Sequence, residues 1–183
     1  MRIVGGELSG RRIMAPGGHF TRPTGERVRE AAFNSLKDRL AGARVLDLYA
    51  GSGAMGLESL SWGAQDCLFV EPNRQAQASI RTNIAILAVQ QWAELWPVTA
   101  ERAVTELLEQ NRIFDLIVCD PPWREGVTEV IRRSLSALLD HGGTLLVEHP
   151  TGRDFGPFEN LVLRRQRKYG GTMLSYWTWE IVP

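Results

Sequence analysis

Cysteine is nearly absent from this 183-residue chain: only Cys67 and Cys119 occur, both inside apolar, strand-like stretches. A disulfide framework therefore has no support, and the two thiols read as reduced core residues suited to the cytoplasm. Histidine is scarce too. His19, His141 and His149 are scattered, no Cys/His cluster has metal-ligand spacing, and no metal is expected. No apolar run is long enough to cross a bilayer. The start, Met1-Arg2-Ile3-Val4-Gly5-Gly6, lacks a signal peptide's apolar stretch, so a cytoplasmic protein without a membrane partner is expected. Repeats, low-complexity tracts and interdomain linkers are also missing. What remains has the length and the 44% hydrophobic content of one globular domain.

Net charge is zero, but the charges are sorted along the chain. Residues 1–39 carry eight bases and four acids, residues 40–150 eight bases and fourteen acids, and residues 151–183 five bases and three acids. Basic ends around an acidic middle suit contact with a polyanion. For charge asymmetry alone, solvated surface is the stronger reading.

Residues 2–15 read as a small hairpin: Arg2-Ile3-Val4 and Arg12-Ile13-Met14 flank a turn containing Gly5, Gly6, Ser9 and Gly10. Thr24 then suits an N-cap, and a helix is expected to Leu40 with Val28, Ala31, Ala32, Phe33 and Leu36 on its apolar stripe. From Ala43 strands and helices alternate. Strands are expected at 44–49, 67–71, 95–98, 114–119 and 144–148, with helices at 54–62, 73–87, 101–111 and 127–139. Pro97 places the third strand at an edge. His141-Gly142-Gly143 closes the last helix, and strands at 161–166 and 173–181 make a terminal hairpin around the turn Lys168-Tyr169-Gly170-Gly171. Repeated strand–helix units imply an α/β fold, a doubly wound, mostly parallel sheet with helices on both faces.

Two loops carry the chemistry. The first, Asp47-Leu48-Tyr49-Ala50-Gly51-Ser52-Gly53-Ala54-Met55-Gly56, joins a strand to a helix. Gly51 and Gly53 let backbone approach a ligand closely, and the helix start adds free N–H groups. Glu71 ends the next strand, placed to accept from ribose hydroxyls. Gly51, Gly53 and Gly56 also match G-x-G-x-x-G, so a nicotinamide-dependent oxidoreductase is a real rival. Asp47 weighs against it, because a pyrophosphate would meet a negative charge. A ligand with a positive amine and sulfonium, such as S-adenosylmethionine, suits Asp47 better.

The second loop, Asp120-Pro121-Pro122-Trp123, leaves a buried strand as a stiff, extended segment. Ligands bind at that edge of open α/β sheets. A carboxylate and a main-chain carbonyl can together accept both hydrogens of an exocyclic amino group, and the indole offers a face to an unstacked base. The bland alternative is a rigid turn with a buried tryptophan. Cys119 precedes the prolines, which is not where a cytosine-C5 methyltransferase needs its nucleophile.

Asp47 through Gly53, Glu71 and Asp120–Trp123 resemble the class I S-adenosylmethionine-dependent methyltransferases of amino groups. Arg22-Pro23-Thr24, Arg27-Val28-Arg29-Glu30 and Phe33-Asn34, with the preceding hairpin, are similar to the bacterial 16S ribosomal RNA guanine-N2 methyltransferases, the small-subunit enzyme D family. The resemblance runs from Arg2 to about Ile181. It implies a Rossmann-like class I methyltransferase sheet of seven strands over residues 21–183, with residues 1–20 as a hairpin extension touching RNA. It implies a monomer that methylates the exocyclic N2 of one guanine in 16S rRNA or the assembling small subunit.

Carried over by position, Asp47, Ala50, Gly51, Ser52, Gly53, Glu71, Pro72, Thr99 and Ala100 would hold S-adenosylmethionine. Asp120, Pro121, Pro122 and Trp123 would hold the target base, and Arg11, Arg12, Arg22, Arg27 and Arg29 would meet phosphates. Each arginine is individually as compatible with a structural role. The family usually has Tyr or Phe where Trp123 stands, and often Asp or Asn where Thr99 stands. Methylation of DNA adenine or protein glutamine, or a non-catalytic RNA-binding module, are the remaining alternatives.

Overall fold

A computed structural model describes residues 1–15 and 25–180. The strands are β1 (Arg44–Asp47), β2 (Asp66–Val70), β3 (Ala93–Trp96), β4 (Phe114–Cys119), β5 (Leu139–Pro150), β6 (Leu161–Tyr169) and β7 (Thr172–Trp179). The helices are α1 (Glu26–Leu36), α2 (Ala54–Ser61), α3 (Arg74–Leu87), α4 (Ala100–Glu109) and α5 (Glu129–Leu138). One seven-stranded sheet results, in the order β3-β2-β1-β4-β5-β7-β6, parallel except for the antiparallel β7 and its pairing with β6. This is the class I methyltransferase fold.

Side-chain alternation builds the two faces. Val45, Phe69 and Val118 point into a core with α1, α2 and α3, while Leu46, Leu68 and Ile117 point into a second core with α4 and α5. Central strands buried on both faces explain the near-continuous apolar runs that made them readable in sequence. The chain winds outward from β1 to β3 and then returns across β1 to β4. That reversal opens a crevice at the carboxyl ends of β1 and β4, the switch point of the sheet.

Element boundaries shifted where tertiary contacts overrode local pattern. Thr24, expected to cap α1, lies outside the described residues, and Gly25 precedes the helix with no side-chain cap. The α-helix ends at Leu36, and a tighter turn over Lys37–Arg39 follows. Asn73 caps α3, accepting from Gln75 N–H at 2.9 Å and Ala76 N–H at 3.1 Å, a cap that stabilises by about 1 kcal/mol. β3 stops at Trp96 because Pro97 cannot donate to the ladder, and it does lie at an edge. His141-Gly142-Gly143 does not close α5; it lies inside β5, which begins at Leu139. Trp179 holds that stretch extended: its Nε1–H donates to Leu139 O at 2.9 Å, and its ring lies 4.7 Å from the His141 ring.

The expected N-terminal hairpin is reduced to one antiparallel bridge, Arg2 to Arg12, with Ile3 N–H donating to Arg11 O at 2.9 Å and Ile13 N–H to Met1 O at 3.0 Å. It is docked rather than free. Ile3 and Ile13 are buried, and Glu7 N–H donates to Ser61 O at the end of α2 at 2.8 Å. A Cβ on Gly6, which sits at φ +71°, would be 1.9 Å from the Ser61 carbonyl oxygen.

Candidate active site

The β1–α2 loop folds over the crevice as its glycines dictate. Gly51 (φ +54°) and Gly53 (φ +78°) occupy left-handed backbone that side chains disfavour. A Cβ on Gly51 would meet nothing within 4 Å, so that stretch of backbone is open to a ligand. Gly56 differs: its added Cβ would lie 2.3 Å from Phe69 Cε1 and 2.6 Å from Cys67 Sγ. The third glycine of the motif thus lets α2 pack closely on the sheet.

Two buried carboxylates shape this loop. Asp47, 1% exposed, accepts from Gly56 N–H at 2.9 Å in the first turn of α2. Burial pushes its carboxyl up to about 7, against the pull of that hydrogen bond, and the Glu71 charge adds to the rise. Glu71 accepts from Gly51 N–H and Asn73 N–H, both at 2.8 Å. Burial raises its carboxyl too, offset by those two bonds. Glu71 therefore ties the glycine loop to the end of β2, and each of its oxygens keeps a lone pair for a hydroxyl donor.

The other expected cofactor residues gather at the same end of the sheet. Ala50 and Ser52 are buried, Ala50 N–H donates to Val70 O at 3.0 Å, and Pro72 is exposed beyond β2. Thr99 is also exposed, with its hydroxyl accepting from Arg102 N–H at 3.4 Å as the N-cap of α4. Ala100, the first residue of that helix, is buried.

Across the switch point, Asp120 follows β4 and is half-buried; Pro121 is buried, Pro122 exposed and Trp123 half-buried. Pro122 O accepts from Glu125 N–H at 3.0 Å and Gly126 N–H at 2.9 Å, which turns the chain back toward α5. Sequence reasoning missed what anchors this loop. The Arg153 guanidinium, beyond β5, donates to Trp123 O and to Arg124 O, the latter at 3.1 Å, and lies 5.2 Å over the Phe155 ring. Cys119 is fully buried, and burial with the charges of Asp120 and Asp47 pushes its thiol well up, so it is no nucleophile. Among the described residues no group of His, Cys, Asp and Glu could hold a metal.

The five arginines assigned to phosphate divide sharply. Arg12 and Arg27 are exposed, and Arg22 lies outside the described residues. Arg11 donates to Ile86 O at 2.5 Å and Leu87 O at 3.3 Å, covering the last carbonyls of α3. Arg29 cannot meet phosphate in this fold. Its side chain is fully buried, its Nε lies 3.3 Å from Glu58 Oε1, and its guanidinium donates to Arg2 O at 2.6 Å. Helical spacing explains the error: Arg29 precedes Ala32, Phe33 and Leu36 on the stripe that faces α2. Glu58, an acid within an otherwise uncharged helix, was the available signal of a buried partner.

Residues 1–178 match the family described as Conserved hypothetical protein 95. Ribosomal RNA small subunit methyltransferase D of Escherichia coli strain K12 is 34% identical over 142 residues, covering 78% of this chain and 68% of its own length. The protein of the same name from Haemophilus influenzae is 31% identical over 183 residues, covering 96% of this chain and 91% of its own. A solved hypothetical protein of Thermus thermophilus superposes with a TM-score of 0.83 at 27% identity, covering 96% of this chain and 98% of its own.

Proposed function

The chain belongs to the Conserved hypothetical protein 95 family, and we propose that it transfers the methyl group of S-adenosylmethionine to the exocyclic N2 of a guanine in 16S rRNA. The observation that carries this reading is the pairing across the switch point. A buried acid and an open glycine wall lie at the end of β1, and Asp120-Pro121-Pro122-Trp123 follows the adjacent β4. The relatives named as small-subunit rRNA methyltransferases support the substrate class.

S-adenosylmethionine supplies a methyl group already activated on sulfonium. Asp47 would favour its positive end, the Gly51 backbone would lie against it, and the remaining lone pairs of Glu71 would accept from the ribose. Asp120 and the Pro121 carbonyl accept the two N2 hydrogens, and Trp123 stacks on the unpaired guanine. Alignment of nitrogen, methyl carbon and sulfur then does most of the work. When bound, the cofactor would supply the methyl carbon and keep the sulfur electron pair, and the methylated nitrogen would lose its proton without a strong base. The N-terminal extension contributes to RNA contact through the exposed Arg12, and α1 through the exposed Arg27. The protein acts as a monomer in the cytoplasm, on 16S rRNA or the assembling small subunit.

The test is methyl transfer to 16S rRNA followed by nucleoside analysis, with Asp120→Ala in parallel. The expected product is N2-methylguanosine. Asp120→Ala abolishes transfer and leaves S-adenosylhomocysteine affinity within a few fold. A methylated adenine, or loss of cofactor affinity equal to the loss of activity, overturns the reading. Binding of NADH in place of S-adenosylhomocysteine would favour the oxidoreductase.

A further inference from the structure

The strand β6 forms one open edge of the sheet, and residues 163–168 along it are exposed. Four of those six residues are bases: Arg164, Arg165, Arg167 and Lys168. No acid occurs from Asn160 through Trp179, so the partner strand β7 offers none. Among the described residues, none of the four bases lies within 4.0 Å of a carboxylate. On the helices the pattern is the opposite: Arg102 pairs with Glu106, while Arg132 and Arg133 both pair with Glu129.

Register orients this edge. Arg165 and Arg167 lie opposite Tyr176 and Leu174, which belong to the core shared with α1. The Arg165 guanidinium lies 5.5 Å over the Tyr176 ring, and Ser35 of α1 donates to the Tyr176 hydroxyl at 2.9 Å. β6 is antiparallel to β7, and β7 to β5, so β6 ends on the same side of the sheet as β4 and β5. Lys168 is level with Met173 and, through it, with His149 near the end of β5. Three strand spacings, about 14 Å, separate β6 from β4.

Charged residues on an edge strand can simply block edge-to-edge pairing. That role falls above all to lysine, and three of these four bases are arginine. A run of one sign with no acid beside it, dominated by guanidinium groups, instead suits a chain of phosphates. Resting on the methyltransferase reading above, we propose that the β6 edge is a second RNA contact, along which phosphates flanking the target guanine run toward the crevice. The docked N-terminal extension and this edge then correspond to the two basic ends of the chain.

The test is the full chain carrying Arg165→Gln, Arg167→Gln and Lys168→Gln; Arg164 is left intact because it donates to Thr178 Oγ1 at 3.1 Å. Binding of a 16S rRNA fragment is followed against KCl concentration. The slope of log affinity against log salt is expected to fall by about 2, or about 0.7 for each phosphate no longer neutralised. KM for RNA rises at least about tenfold at moderate salt, with kcat at saturating RNA and S-adenosylhomocysteine affinity within about twofold. Should the triple variant fail to fold, Arg167→Gln alone should lower the slope by about 0.7. Arg132→Gln, on the other face, leaves it unchanged. An unchanged slope with new self-association in light scattering assigns the edge to blocking aggregation and overturns the proposal. Failure of the wild-type chain to bind rRNA overturns the function itself, which separates the two results.

Discussion

Asn83 on α3 holds Met14 at both of its backbone groups. Its Oδ1 accepts from Met14 N–H at 2.7 Å, and its Nδ2 donates to Met14 O at 2.9 Å. The same Nδ2 donates to Ser52 O in the glycine loop at 3.0 Å, and the side chain is fully buried. One amide thus ties Met14 of the N-terminal extension to the glycine loop at the crevice.

Asn83→Ala would leave the buried Ser52 carbonyl without a partner and expose both backbone groups of Met14, a residue 54% exposed, to water. The buried loss at Ser52 costs about 1–3 kcal/mol, so Tm is expected to fall by roughly 2–12 °C for a domain of this size. Affinity for S-adenosylhomocysteine should fall with it, because Ser52 is released. Calorimetry on the folded variant checks this; full affinity at reduced Tm would confine Asn83 to fold stability.

Asp47 makes the stability of the chain sensitive to pH. Its carboxyl titrates near 7 in the folded state, against 3.8 as the reference value. Between those values the folded state holds the extra proton, so the slope of stability with pH is negative. The contribution is present below pH 4 and lost as pH rises through 7, up to about 4 kcal/mol at 1.36 kcal/mol per tenfold. A positive amine reverses the preference and favours the ionised form. S-adenosylhomocysteine should therefore bind more tightly at pH 8 than at pH 6, with proton release visible by calorimetry in buffers of different ionisation enthalpy. Asp47→Asn should abolish that release, and a pH-independent affinity in the wild-type chain would remove Asp47 from the cofactor site.

Arg153 is expected to act through the loop it clamps. Charge-assisted hydrogen bonds of this kind contribute about 1.5–3 kcal/mol. Arg153→Ala should lower kcat/KM for RNA by about 10- to 100-fold, with cofactor affinity unchanged. Arg153→Lys should recover part of the activity, since an ammonium can reach both carbonyls but cannot stack on Phe155. Steady-state kinetics with varied RNA tests this; a matching loss of S-adenosylhomocysteine binding would point to general unfolding.

Much of the fold was legible because the information was local. Buried parallel strands need unbroken apolar runs, and β4 was read with its observed bounds. The glycine loop and Asp120-Pro121-Pro122-Trp123 were legible because left-handed backbone and rigid turns admit few residue types. Arg29 was misread because guanidinium chemistry is the same on a surface and against a buried glutamate. Arg11 looked free because nothing in its own segment reveals the α3 carbonyls it covers. Asn83 carried a faint signal, a polar residue beside Ile80, Ile84 and Leu87 on an apolar stripe.

The sequence by itself determined the strand–helix alternation, the two chemical loops and their order along the chain, since each depends on residues close in sequence. Only the tertiary structure decided which charges are spent on the fold and which face solvent. Burial and hydrogen-bond pairing are set by residues dozens of positions away, such as Glu58 against Arg29 and Leu87 against Arg11. It also decided that Gly56 serves packing while Gly51 faces open space, because that distinction lies in what a Cβ would meet.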